Sequence, residues 1–229
     1  MTSWNKNMVL RFYLIFTFNL ILQSCSLDSI DSRIAPGYVE AFRTIKNSFI
    51  DLDNELITPE LIENIPYASL TLKIGRGSPG LLILESVDGI KQTWVSADGV
   101  YLVLENGRII KTAGLFNNLI DFKTAKNNFA DLIDSKTSET LINYYSYDEP
   151  ELNDLRVEAR RQLIQIENVK LLSSEKSLYL IEEDISNDFI GWKRQNKFWV
   201  DDENFIWKSD QFVSPKLPRF QIEVTKKPS

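Results

Sequence analysis

The chain has 229 residues, 26 of them basic and 32 acidic, for a net charge of −6. That balance repels phosphate backbones and argues against nucleic acid as a partner. With no histidine and a single cysteine, the chain cannot build a Ser-His-Asp or Cys-His hydrolase, a histidine-based zinc site or an internal disulfide, and no catalytic, metal or cofactor site is expected.

Lys6 and Arg11 flank an apolar run of 11 residues, Phe12 to Leu22, which Asn19 already interrupts. A membrane-crossing helix needs about 20 apolar residues. Residues 1–24 therefore read as a cleaved export signal, with Ser24 as the small residue at the processing site. Leu22-Gln23-Ser24-Cys25 resembles the bacterial lipobox, in which the cysteine is lipidated and becomes the new N-terminus; Gln23 departs from the usual small or β-branched residue. The other reading is a plain signal peptide with an unmodified thiol. Cleavage before Cys25 removes Lys6 and Arg11 and leaves 24 basic and 32 acidic residues, a net −8. Membrane contact then falls to lipid on Cys25: one acyl chain holds only marginally, and a multiply acylated cysteine is a firm anchor. Ser26, in place of the Asp that retains proteobacterial lipoproteins, resembles an outer-membrane address facing the periplasm.

Residues 25–37 are polar, end in Pro36-Gly37 and read as a tether ahead of a single domain over 38–229. Tyr38, Ala41, Phe42, Ile45, Phe49 and Leu52 follow helical spacing. Thr58-Pro59-Glu60 has the chemistry of a helix start, and Pro66 keeps that helix short. From Ala68 the period changes to two. Asp88-Gly89, Asp98-Gly99 and Asn106-Gly107 supply the positive φ angles of tight hairpins. Strands near 68–75, 80–87, 90–96, 100–105 and 108–113 are expected to form an antiparallel meander.

Leu115, Leu119 and Phe122 hint at a helix, and Phe129, Leu132 and Ile133 at another; the Asn- and Asp-rich remainder of 114–150 reads as partly irregular. Strands return at 156–172, at 176–184, around Phe198 and Val200, from Phe205 to Phe212, and through Phe220, Ile222 and Val224. Trp94-Val95 entering Ser96-Ala97-Asp98-Gly99 echoes Trp199-Val200 entering Asp201-Asp202-Glu203-Asn204. Either a duplicated hairpin or two independent hairpins sharing one chemistry accounts for the echo.

Gly107-Arg108-Ile109-Ile110-Lys111-Thr112-Ala113-Gly114-Leu115, preceded by Trp94-Val95-Ser96 and Asp98-Gly99, is similar to the lipoprotein family labelled YjbF/GfcB. Ile65-Pro66-Tyr67-Ala68-Ser69, Asn196 to Asp201, Trp207 to Gln211 and Ser214-Pro215 agree in order, so the resemblance runs from about Tyr38 to the C-terminus. Asp202-Glu203-Asn204 departs from it by lacking the glycine expected in the last hairpin turn. The resemblance implies a mainly β lipoprotein associated with capsule or exopolysaccharide production, with no catalytic activity attached.

Gly75-Arg76-Gly77-Ser78-Pro79-Gly80 matches a dinucleotide fingerprint in letters only, because a strand here feeds another strand. Asp201, Asp202, Glu203 and Asn204 can be read as a calcium or glycosidase cluster, or more simply as a solvated turn, and Glu182-Glu183-Asp184 likewise. Trp192, Phe198, Trp199, Phe205 and Trp207 suit core packing for the most part, with Trp199 and Trp207 the candidates to line a groove and stack on sugar rings. Neighbours such as Phe198 and Trp199 must face opposite ways in a strand. Arg108 can anchor an acidic sugar or pair with a carboxylate, while Arg156, Arg160 and Arg161 read as a charged, solvated strip.

The expected architecture is mainly β, an antiparallel meander or barrel-like sheet with one or two short N-terminal helices. The expected function is a non-enzymatic accessory of capsule or exopolysaccharide export, membrane-anchored and in contact with polysaccharide or export-complex proteins. The alternatives are a polysaccharide-modifying enzyme working with carboxylates alone, centred on Asp201 and Asp202, and an envelope-assembly lipoprotein without glycan contact.

Overall fold

The computed structural model describes residues 57–228, all within one compact unit. The signal, Cys25, the tether and the first expected helix lie outside the described residues. Helix α1 (Pro59–Asn64) starts as its sequence dictates: the Thr58 hydroxyl accepts from the Leu61 amide at 3.3 Å, and Pro59 takes the first turn, where a missing N–H is harmless.

The meander follows as β1 (Ser69–Ile74), β2 (Gly80–Asp88), β3 (Lys91–Ser96), β4 (Tyr101–Glu105) and β5 (Arg108–Ala113). Beyond it come β6 (Leu119–Thr124), helix α2 (Ala130–Ser135), β7 (Glu139–Tyr147), β8 (Leu152–Lys170), β9 (Glu175–Asn187), β10 (Trp192–Val200), β11 (Ile206–Gln211) and β12 (Phe220–Lys226). The helix expected around Leu115–Phe122 is instead β6. A register shift between Leu119 and Asp121 turns Leu119 and Phe122 to the same buried side although they lie three apart, which imitates helical spacing. Strand β7 occupies part of the stretch expected to be partly irregular.

All 12 strands form one antiparallel sheet in the order β5-β4-β3-β2-β1-β12-β11-β10-β9-β8-β7-β6. Except at the β5–β6 step, every strand pairs with its neighbours in sequence, and β12 returns to β1. The result is an up-and-down, nearly closed barrel with one unzipped seam, between β5 and β6. The β1–β12 closure shows how the sequence specifies it: Leu70, Leu72 and Ile74 face Val224, Ile222 and Phe220, while Thr71 and Lys73 face Glu223 and Gln221 on the other side. Each fully buried aliphatic side chain of such a row contributes about 1.5–3 kcal/mol.

The seam edge of β5 is capped from β11. The Gln211 side chain accepts from the Ile109 amide at 3.0 Å and donates to the Gly107 carbonyl at 2.9 Å, a one-residue imitation of a paired strand. Gly107 allows this approach: its φ is +73°, and a Cβ there would stand 2.6 Å from Cβ of Ile206. On the other edge, the Leu119 amide donates to the Thr112 hydroxyl at 3.0 Å.

Alternating directions place the loops 75–79, 97–100, 114–118, 148–151, 188–191 and 212–219 at one end, called here the lower end. At the upper end the β8–β9 hairpin outruns its neighbours and folds across the outer face of the sheet. The Leu172 amide donates to the Glu223 carboxylate, and the Ser173 hydroxyl donates to the Thr225 carbonyl at 3.3 Å. Beneath this flap Val169, Leu171, Leu178, Leu180 and Trp199 form a cluster of their own, apart from the interior. Inside, Phe129 and Leu132 at α2 pack with Ile181, Phe198, Val200 and Ile206.

Candidate functional site

Arg108, a candidate for contact with an acidic sugar, is an internal residue only 3 % exposed. The Asn106-Gly107 turn directs it inward, where its guanidinium meets Glu183 in a bidentate pair, Nη1 to Oε1 at 2.8 Å and Nη2 to Oε2 at 2.6 Å. Its Nε donates to Asn127 at 2.9 Å, and the Phe198 ring lies 4.8 Å away. Glu183 accepts a further bond from Asn196 at 2.8 Å. Burial alone would raise the Glu183 carboxyl, but the Arg108 charge and these hydrogen bonds outweigh it and hold the carboxyl below the ordinary range. Arg108 is thus paired with a carboxylate inside the barrel.

The arginine strip also divides. Arg156 and Arg160 are exposed, whereas Arg161 shares the inward face of Val157 and Ala159 and is fully buried, bonded to Glu139 at 2.7 Å. Burial and the nearby Arg108 charge lower the Arg161 pKa. The barrel therefore contains two arginine–carboxylate pairs that sequence could list but not bring together.

Trp199 and Trp207 do not form an open platform. Trp199 is 9 % exposed under the flap, and its indole N–H donates to the Glu167 carboxylate of the flap itself. Phe198, its neighbour, faces the interior as alternation requires. Trp207 is half-buried; its indole donates to Asp201 at 2.8 Å, and Lys176 of the flap lies 4.1 Å from its ring. Phe205 stands edge-on to it at 5.0 Å.

The acidic run is a turn. Asp201 accepts from the amides of Glu203 and Phe205 at 3.0 and 2.8 Å as well as from Trp207, so both its oxygens are engaged in shaping the loop. Among the described residues no cluster of acids could hold a metal ion. Asn204 takes a φ of +62° in place of the missing glycine. It also accepts the Phe129 amide at 3.2 Å, a bond no glycine could supply.

The echoed segments adopt one loop geometry. The Ser96 amide donates to the Val100 carbonyl at 2.9 Å and the Val100 amide to the Ser96 hydroxyl at 2.9 Å. Asp201 and Phe205 repeat both bonds, at 2.9 and 2.8 Å.

The open feature of this region is a cleft of ≈ 210 Å³ at the upper end, between the β2–β3 and β4–β5 turns and strands β11 and β12. Leu104, Ile206 and Ile222 form its apolar floor, and Ile90 and Phe205 its sides. Gln92, Asn106 and Asn204 bring amides to its lining, and Lys208 borders it with its ammonium directed away, 5.1 Å from the Trp199 ring. No carboxylate lines it. Such a surface can hydrogen-bond neutral hydroxylated groups and pack against their C–H faces, but it holds no acid–base pair.

A nearly closed, 12-stranded antiparallel barrel with a charged interior defines this as an all-β domain, with the fold of the YmcC structure described below. Residues 42–225 match the family described as group 4 capsule polysaccharide lipoprotein gfcB, YjbF, and the chain belongs to that family. The chain is 25% identical over 205 residues to the uncharacterized lipoprotein YjbF of Escherichia coli (strain K12), covering 85% of this chain and 87% of the relative. It is 27% identical over 112 residues to the uncharacterized lipoprotein GfcB of the same organism, covering 49% and 48%. The crystal structure of the hypothetical lipoprotein YmcC from Escherichia coli (K12) superposes with a TM-score of 0.67 at 20% identity, covering 83% of this chain and 96% of that one.

Proposed function

We propose that this chain is a non-enzymatic accessory of capsule or exopolysaccharide export, held by lipidated Cys25 at the periplasmic face of the outer membrane. In this reading it binds the polymer at the upper cleft. Membership of a capsule-associated lipoprotein family supplies the pathway. The observation that carries the binding role is the lining of the cleft: Gln92, Asn106 and Asn204 among the apolar residues Leu104, Ile206 and Ile222. Its ≈ 210 Å³ suits a single sugar unit rather than a length of polymer.

The carboxylate-enzyme alternative loses support from the same geometry. Asp201 is engaged in its own turn, and Asp202 is an exposed turn residue outside the cleft. The test is binding of the purified protein to the native polymer, with Gln92→Ala and Asn106→Ala weakening it by about tenfold together. Absence of binding to polymer and to export proteins, with surface polysaccharide intact after deletion, overturns the proposal. Release of reducing ends by the wild-type protein would restore the enzyme reading.

A further inference from the structure

Three loops lie at the lower end, because the β5–β6 connection across the seam and the β7–β8 and β9–β10 hairpins all turn there. Each presents an apolar side chain to solvent. Phe116 is 66 % exposed, Leu152 borders the next loop, and Phe189 is 95 % exposed with Ile190 beside it. Loop tips ordinarily carry Gly, Asn, Asp, Ser or Pro, whose polar groups satisfy the turn. Here the turn is satisfied by neighbours, which leaves the tip to apolar residues. The Asn187 side chain accepts the Ile190 amide at 3.1 Å, the Gly191 amide donates to the Asp188 carbonyl at 3.3 Å, and Lys193 pairs with Asp188 at 3.0 Å.

The Phe116 loop is braced in the same way. Asn118 is bonded to Asp148 at 2.7 Å, and Asn117 holds the Glu149 carbonyl at 2.8 Å and Ser214 of the β11–β12 loop. The rings are therefore fixed in an outward position by rigid backbone. They protrude singly, with Asp148, Asp188, Lys193 and Arg194 between them, and so offer no continuous flat face for a folded protein partner. Protruding rings among polar neighbours match the boundary between headgroups and acyl chains, where an aromatic residue is favoured.

We propose that the lower end of the barrel is a membrane-facing rim, with Phe189, Ile190 and Phe116 dipping into a phospholipid surface. A bilayer is at hand for a member of a lipoprotein family. With the helix expected over residues 38–52, the ~30 residues between Cys25 and Ile57 still span up to about 80 Å, so an anchor at Cys25 can reach a bilayer lying against the end opposite to α1. The rim then turns the upper cleft away from the bilayer. This assignment is independent of what the cleft binds.

The acylated protein, in which Cys25 has no free thiol, is given one new cysteine by F189C, F116C or, at the upper end, D202C. Each is labelled with an environment-sensitive fluorophore and reconstituted into phosphatidylcholine vesicles. Labels at 189 and 116 should brighten about twofold or more and shift to the blue, unchanged by high salt, while the label at 202 stays in water. No change at 189, an equal change at 202, loss of the signal in salt, or failure of the protein to float with vesicles overturns the proposal.

Discussion

Arg108 of β5 and Glu183 of β9 meet head-on inside the barrel, at 2.8 and 2.6 Å, although their strands are not neighbours in the sheet. The pair spans the unzipped seam and gives β5 a charged grip on the far wall. Removing one member leaves the other charged and unpaired in the interior. Arg108→Ala should therefore cost about 3–5 kcal/mol, read as a fall in the urea midpoint. Replacing both residues with apolar ones of similar volume should recover most of that loss.

The same carboxylate predicts the acid limb of stability. Glu183 is held below its ordinary pKa in the folded protein, so the unfolded chain binds more protons. Its contribution is present above the unfolded value of about 4.3 and is lost as pH falls toward the folded value. Thermal melts from pH 7 to pH 3 should show the drop, and it should be shallower in Glu183→Gln from an already lowered starting point. At the alkaline end Tyr145 and Tyr147 have pKa values raised, chiefly by burial. Their contribution is present below about pH 10 and is lost above it, as the unfolded chain ionises.

Gln211 replaces a missing strand partner for Gly107 and Ile109. Gln211→Leu should leave both backbone groups unsatisfied and cost about 1–3 kcal/mol. The Ile109 amide should then exchange with deuterium faster, while amides in the β1–β12 closure change only with global stability.

Two glycines of positive φ separate strain from crowding. Gly89, at φ +60°, has open space where a Cβ would go, whereas Gly107, at φ +73°, faces Ile206 at 2.6 Å. Gly89→Ala should cost about 1 kcal/mol from the backbone alone. Gly107→Ala should add a further 1–3 kcal/mol or so of overpacking, and chemical unfolding of the two variants measures the difference.

Trp199 ties the flap to the sheet. Trp199→Phe keeps much of the ring but loses the bond to Glu167, and should cost about 1–3 kcal/mol. Limited proteolysis within the 171–174 turn should accelerate, because the flap loses its polar attachment there.

The meander was legible because its turns are spelled in Asx-Gly pairs and its strands alternate cleanly, as Leu70, Leu72 and Ile74 do. Within residues 114–150 the helix hinted at by Phe129, Leu132 and Ile133 is there as α2, but β6 was not legible, because the irregularity near Ile120 shifts register and imitates a helix. Asn204 looked like a defect where a glycine was wanted, and its second role, receiving the Phe129 amide, comes from a segment 75 residues away. The ion pairs were hidden for a similar reason: Arg108 and Glu183 are separated by 75 positions and are brought together only by barrel closure. Core packing was expected for most of the aromatics around Trp199, but the flap that covers it was not legible, since the length of β8 and β9 does not reveal that their hairpin folds back.

Because β12 completes the ring against β1, the first strand of the barrel waits on the last. A chain that stops before Phe220 has two raw sheet borders where the finished molecule has none there, on β1 and on β11. Proofreading is thus built into the connectivity: a product missing its tail stays sticky and conspicuous, and only full-length material can shut itself.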